Sequence, residues 1–276
     1  MPFFNNNIHW PRWRKRIGWM LLIYLGLGLL IYKIQDRVLF HPVELSSDKR
    51  FDFSLSHEDV LIPLNETDSL SMVRFLPDRL PAKGSVLYFH GNKKHIGWYA
   101  RFIPPFTKHG YEVLMIDYPG YGKSRGELTE KKLYDWATIA YKIARKRYAA
   151  DSIIIYGKSM GTGIAAELAA VRDCKALILE TPYYDFPSVI DRYLPFYPVR
   201  SMLHYQLPTY QYLPRVTAPV TILHGTSDWV VAYSNAKKLS GLLKKTDRLI
   251  TIEGGRHNDL FDYEQTRNSL DSILSH

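Results

Sequence analysis

Cysteine is almost absent from this 276-residue chain. Cys174 stands alone, which excludes an internal disulfide and any cysteine-rich metal site. It precedes the apolar run 176–179, where a small thiol is expected to pack as a hydrophobe rather than react. The ten histidines show no ligand spacing: His90 and His95 stand five apart, which does not place them on one helical face, so no metal is expected. Internal repeats and low-complexity tracts are also missing, which excludes a solenoid. Phosphate-binding loops fail on inspection. Gly122-Lys123-Ser124 and Gly157-Lys158-Ser159 imitate the end of one, but Asp117 and Ser152 occupy the places of the required earlier glycine. Gly161-Thr162-Gly163-Ile164-Ala165-Ala166, with Glu180 further on, imitates a dinucleotide fingerprint. There the first glycine should close the turn directly after a strand, whereas Gly161 falls inside a helical pattern, so no cofactor is expected.

Acid is in short supply too: 27 Asp and Glu face 36 Lys and Arg, for a net charge of +9. Nucleic acid is the obvious partner to consider, with Lys142, Arg145, Lys146 and Arg147 clustered at the end of one helical pattern. Cations there complement the helix dipole and form an ordinary solvated face. Part of the excess flanks an apolar N-terminal run, where it suits anionic lipid headgroups. No nucleic-acid partner is expected.

That apolar run is the first positive feature. Residues 17–32 carry no charge, and Arg12, Arg14, Lys15 and Arg16 precede them. At about 1.5 Å per residue the run covers only roughly 24 Å of about 30 Å of hydrocarbon. Lys33 can snorkel, however, and Trp13, Trp19 and Tyr32 suit the interfaces. A cleaved signal peptide needs small residues after the run, and 31–42 offers none; a buried amphipathic helix needs a polar face, and 17–32 has none. The reading is an uncleaved transmembrane signal anchor at 17–33, with a basic tail at 1–16 and a catalytic domain at 34–276. Basic residues upstream outweigh Lys33 and Arg37 downstream, which predicts a cytoplasmic N-terminus and a catalytic domain on the opposite, periplasmic or lumenal, side.

After a stretch at 51–75 that reads as one or two antiparallel edge strands, short apolar runs recur at 85–89, 113–116, 153–156, 176–179, 220–223 and 249–252. Helical patterns at 131–147, 161–171 and 234–243 separate several of them. Alternation of this kind predicts an α/β fold with a mostly parallel, doubly wound sheet. The excursion 183–215, rich in Tyr, Pro and Leu, predicts a small cap.

Chemistry enters where the 153–156 strand breaks. Gly157-Lys158-Ser159-Met160-Gly161 sets a serine between two glycines at a strand-to-helix turn, the spacing of a nucleophile elbow. Asp228 and His257 follow later strands, in the chain order Ser, acid, His that suits such a sheet. Upstream, the 85–89 strand ends in His90-Gly91-Asn92, so the N–H groups of Asn92 and Met160 can form an oxyanion hole. Glu180 also ends a strand and competes with Asp228 for the role of acid.

These segments, together with Val38-Leu39-Phe40-His41-Pro42, Ile116-Asp117-Tyr118-Pro119-Gly120-Tyr121-Gly122-Lys123-Ser124 and Glu180-Thr181-Pro182-Tyr183, give a chain that resembles the α/β-hydrolase superfamily and, more narrowly, the Bem46-like serine hydrolases. The resemblance runs over nearly the whole length. It implies an α/β-hydrolase fold with a small cap after one N-terminal transmembrane helix. It also favours Asp228 over Glu180, leaving Glu180 to fix the cap entrance through hydrogen bonds. The expected activity is hydrolysis of carboxylic esters or thioesters, on lipid or acylated substrates, by Ser159, His257 and Asp228. Two alternatives stand beside it: a peptidase or amidase using the same residues, and a catalytically idle, membrane-tethered binding module. Tyr183, Tyr184 and Phe186 are expected to line an apolar acyl pocket, against the alternative that the aromatic rings of the excursion fill its own small core. Oligomeric state is left open.

Overall fold

The computed structural model describes residues 12–275 and divides into two units, 1–39 and 40–276. In the first unit a single helix, α1 (Arg12–Leu39), is longer than the uncharged run within it. Lys33, Asp36 and Arg37 continue it because none of them breaks a helix. It ends where Phe40-His41-Pro42 turns the chain extended ahead of a proline. Its 28 residues amount to about 42 Å, long and apolar enough to cross a membrane by length and composition. Trp19, Leu22 and Leu25 on it are exposed. The first eleven residues of the basic tail lie outside the described residues.

The second unit is built on an eight-stranded sheet. In chain order its strands are β1 (His57–Pro63), β2 (Ser69–Phe75), β3 (Gly84–Phe89), β4 (Tyr111–Ile116), β5 (Ile153–Lys158), β6 (Ala176–Glu180), β7 (Val220–Gly225) and β8 (Arg248–Ile252). Their spatial order is β1-β2-β4-β3-β5-β6-β7-β8. β1 pairs antiparallel with β2, and β2 antiparallel with β4; every other pairing is parallel. β3 through β7 are buried along their full length, hence the unbroken apolar runs in the sequence.

Alternation along the strands sends Val86, Tyr88, Ile154 and Tyr156 into one cluster with Phe102, Phe106, Leu270 and Leu274. Helices α2 (Glu130–Arg145) and α3 (Gly161–Val171) pack on each other and on β3 to β6, while α4 (Ser234–Ser240) and α5 (Glu264–Ser275) pack beside β8. Thr129 caps α2 by accepting from the Lys132 N–H. Because β3 sits between β4 and β5, the chain leaves β3 and β5 toward opposite sides of the sheet. That divergence opens a crevice beyond their C-terminal ends, the usual place for a site in such sheets. Residues 51–75, expected to form one or two antiparallel edge strands, form two antiparallel strands, of which β1 is at the edge and β2 lies between β1 and β4. α5 is a helix that the sequence reading does not anticipate.

Candidate active site

Ser159 follows β5 with φ of +52°, a left-handed conformation that L-residues seldom adopt. The strain is held from both sides: the Ser159 N–H donates to Glu180 O at 2.9 Å, and Ser159 O accepts the Thr162 N–H at 2.9 Å and its hydroxyl at 2.6 Å. Gly161 is indispensable to the turn, since a Cβ there would lie 2.0 Å from Phe89 O. Its absence brings the start of α3 against the end of β3. Met160 is the N-cap of α3, so its N–H sits at the positive end of that helix.

His257 reaches the serine from the loop after β8, with Nε2 3.0 Å from Ser159 Oγ and Nδ1 2.8 Å from Asp228 Oδ2. Asp228 Oδ1 accepts the N–H groups of Val230 at 2.8 Å and Val231 at 2.9 Å. His224 Nε2 donates to Val231 O at 2.9 Å and stands 3.5 Å from Asp228 Oδ2. Burial alone would raise the Asp228 carboxyl, but the histidine donors His224 and His257, with the Val231 N–H, outweigh it and hold the group well below the usual carboxylate range. The two loops meet because Gly225 has no side chain; a Cβ there would lie 2.1 Å from Gly255 O.

On the other side of the serine, the His90-Gly91-Asn92 turn is fixed by the segment after β4. Tyr118 donates to His90 O at 2.8 Å, Tyr121 donates to Asn92 O at 2.8 Å, and Asp117 accepts the Ile96 N–H at 2.9 Å. The His90 ring packs between Tyr99 and Tyr118. Asn92 lines the cavity beside Ser159. That cavity, of about 160 Å³, is walled by Trp98, Tyr99 and Val230 and carries Lys93, Lys94 and Lys158.

Here the structure departs from two expectations. Tyr183, Tyr184 and Phe186 do not line this cavity. Tyr183 is buried and donates to Met160 O at 2.8 Å, Tyr184 stacks on Tyr210, and Phe186 stacks on Phe40. The excursion is drawn onto α2 instead. Glu130 accepts the N–H groups of Gln206 and Leu207, and Tyr205 donates to Leu128 O. Its rings therefore pack on one another and on Phe40 and Tyr134, while Tyr193 and Phe196 are exposed. Glu180, for its part, does not reach a cap entrance. It is fully buried, pairs with Lys158 and accepts the Tyr156 hydroxyl. Lys158, also buried, donates to His257 O at 3.2 Å as well, tying β5 to the histidine loop. Sequence reasoning passed over Lys158, Trp98 and Tyr99. For Lys158 a signal existed: a lysine inside an otherwise apolar strand end needs a buried acid, and Glu180 ends the neighbouring strand.

Solved structures share this architecture. An esterase of Pyrococcus furiosus superposes with a TM-score of 0.66 over 85% of this chain and 98% of its own, at 18% identity. The ferulic-acid complex of Est1E from Butyrivibrio proteoclasticus gives 0.60 over 78% and 96%, at 21% identity. The chain has the α/β-hydrolase fold. Residues 81–211 match the family described as "Serine aminopeptidase, S33". Among curated relatives, alpha/beta hydrolase domain-containing protein 17C is 32% identical in Xenopus tropicalis, over 70% of this chain and 62% of that protein. The Mus musculus protein of the same name is 31% identical over 70% and 60%. The chain thus spans less than two thirds of the length of these relatives.

Proposed function

We propose that this chain is a Bem46-like, membrane-anchored serine hydrolase of the α/β-hydrolase superfamily that cleaves carboxylic esters or thioesters. The observation that carries the reading is the hydrogen-bonded series Ser159–His257–Asp228 at the edge of a cavity. His257 Nε2 takes the Ser159 proton as Oγ bonds to the substrate carbonyl carbon, and the carbonyl π electrons move onto oxygen. The Asn92 and Met160 N–H groups receive that oxyanion. Collapse breaks the bond to the alcohol or thiol, which leaves with the proton held by His257. Water then repeats the sequence on the acyl-enzyme, releasing the acid and restoring Ser159. Asp228 stays ionised throughout, keeps the Nδ1–H tautomer and stabilises the imidazolium.

The family description favours a second reading, an aminopeptidase. Such an enzyme must receive a substrate ammonium group, whereas the cavity lining holds three lysines and no carboxylate, which supports the ester reading instead. α1 supports the anchor, and the basic residues ahead of its uncharged run support a cytoplasmic N-terminus with the catalytic unit across the membrane. The test is labelling by a neutral fluorophosphonate together with hydrolysis of a simple aryl ester. Both should occur with the wild type and be lost in Ser159→Ala. A wild type that is neither labelled nor active would leave the idle binding module as the better account.

A further inference from the structure

The cavity beside Ser159 carries uncompensated charge. None of its ten lining residues is acidic, and three are lysines. Lys158 is neutralised by Glu180, but Lys93 and Lys94 make no salt bridge among the described residues and are exposed at the opening. A further cation stands close by: the Arg101 guanidinium lies 3.9 Å over the ring of Trp98, itself a cavity wall. The two lysines are also held in place. Lys94 has φ of +68°, in the left-handed region. The segment is clamped by a short parallel pairing of His41 and Pro42 with Lys93 and Lys94, and by the Tyr121 hydroxyl on Asn92 O. Backbone strain of this kind persists only where neighbouring contacts enforce it. Here the enforced backbone keeps both lysines on the lining of the cavity that also contains Ser159.

We propose that Lys93 and Lys94 make this a site for anionic acyl substrates, in which a carboxylate or phosphate lies a few ångströms from the scissile ester or thioester carbonyl. The inference rests on the hydrolase reading above and adds the charge of the substrate to it. The apolar walls Trp98, Tyr99 and Val230 take the hydrocarbon part, and the two ammonium groups take the anion. A charge pair about 6 Å apart at a partly screened surface contributes on the order of tenfold in kcat/KM per lysine and weakens with salt.

The experiment compares two soluble aryl esters of equal acyl length, one ending in a carboxylate and one in a neutral amide. The full chain is used, in non-ionic detergent. The readout is the ratio of kcat/KM for the anionic ester to that for the neutral one, which a general loss of folded enzyme does not move. The wild-type ratio should exceed unity by about tenfold or more and fall as sodium chloride is raised from 50 to 500 mM, roughly the range over which screening becomes strong. Lys93→Gln with Lys94→Gln should lower it by about 10- to 100-fold, and Lys93→Glu with Lys94→Glu should bring it below unity. A ratio within about twofold of wild type in both double variants overturns the proposal. So does a wild-type ratio near one whose neutral-ester rate rises only when phosphatidylglycerol vesicles are added, since the anion recognised would then be a lipid surface. If the neutral ester is hydrolysed and Ser159 is labelled, such results remove the charge preference alone. If neither occurs, the hydrolase reading falls first and this one with it.

Discussion

Replacing Asp228 by asparagine should lower kcat on a simple aryl ester by about four orders of magnitude, or about 5 kcal/mol of barrier. The size follows from the donors around the carboxylate. Val230 N–H, Val231 N–H and the His257 Nδ1 proton all point at it, within 2.9 Å, and a carboxylate only accepts. Asparagine has a single oxygen to offer. With that oxygen toward the two backbone donors, its NH2 faces His257 Nδ1, so the imidazole proton must move to Nε2. Nε2 then cannot accept from Ser159 Oγ, 3.0 Å away. The flipped amide would restore the histidine but set NH2 against two backbone N–H groups, each left unsatisfied at about 1–3 kcal/mol. The inactive tautomer therefore wins. Steady-state kinetics beside Glu180→Gln, which should lose far less turnover, tests the assignment. Asp228→Asn within tenfold of wild type, or Glu180→Gln the more damaged of the two, would refute it. A pH effect accompanies the change. The Asp228 carboxyl is held below its unfolded value of about 3.9. Its stabilisation is therefore fully present above that value and lost as pH falls through the folded one. Thermal melts of Asp228→Asn should accordingly show less loss of stability on the acid side than the wild type.

Lys158→Met should destabilise the protein by about 3–5 kcal/mol, because Glu180 is left buried and unpaired, while Lys158→Met with Glu180→Leu should recover much of that in denaturant titration. A double variant no better than the single would show that the pair is not the unit. Tyr183→Phe should cost about 1 kcal/mol of stability for the lost bond to Met160 O and lower kcat a few-fold, with acyl-length preference unchanged; a shift in preferred chain length would return Tyr183 to the pocket. A protein beginning at Phe40 should move from the membrane fraction to the soluble one and keep its turnover on a soluble ester, and its retention on membranes would show that α1 is not the anchor.

The sequence alone determined the sheet and the chemistry-bearing turns. Buried parallel strands need apolar runs too short for helices, and the elbow needs glycine at Gly161, where Phe89 O leaves no room for a side chain. That Ser159, Asp228 and His257 come together was legible for the same reason: each follows such a run, and parallel strands deliver their C-terminal ends to one edge. What composition could not tell was where long-range partners lie. The tyrosines of the excursion suited a pocket wall and a packed core equally well. Only the folded chain decided between them, by drawing Gln206 and Leu207 onto Glu130 and Tyr183 onto Met160. Lys158, which sequence reading passed by, is a core residue because β5 and β6 pair in a register that sets Lys158 beside Glu180. The cavity wall comes from Lys93, Lys94, Trp98 and Tyr99 rather than from the excursion because β3 lies next to β5, whose paired residues, such as Ser85 and Ile153, are far apart in the chain, an adjacency that no local pattern encodes.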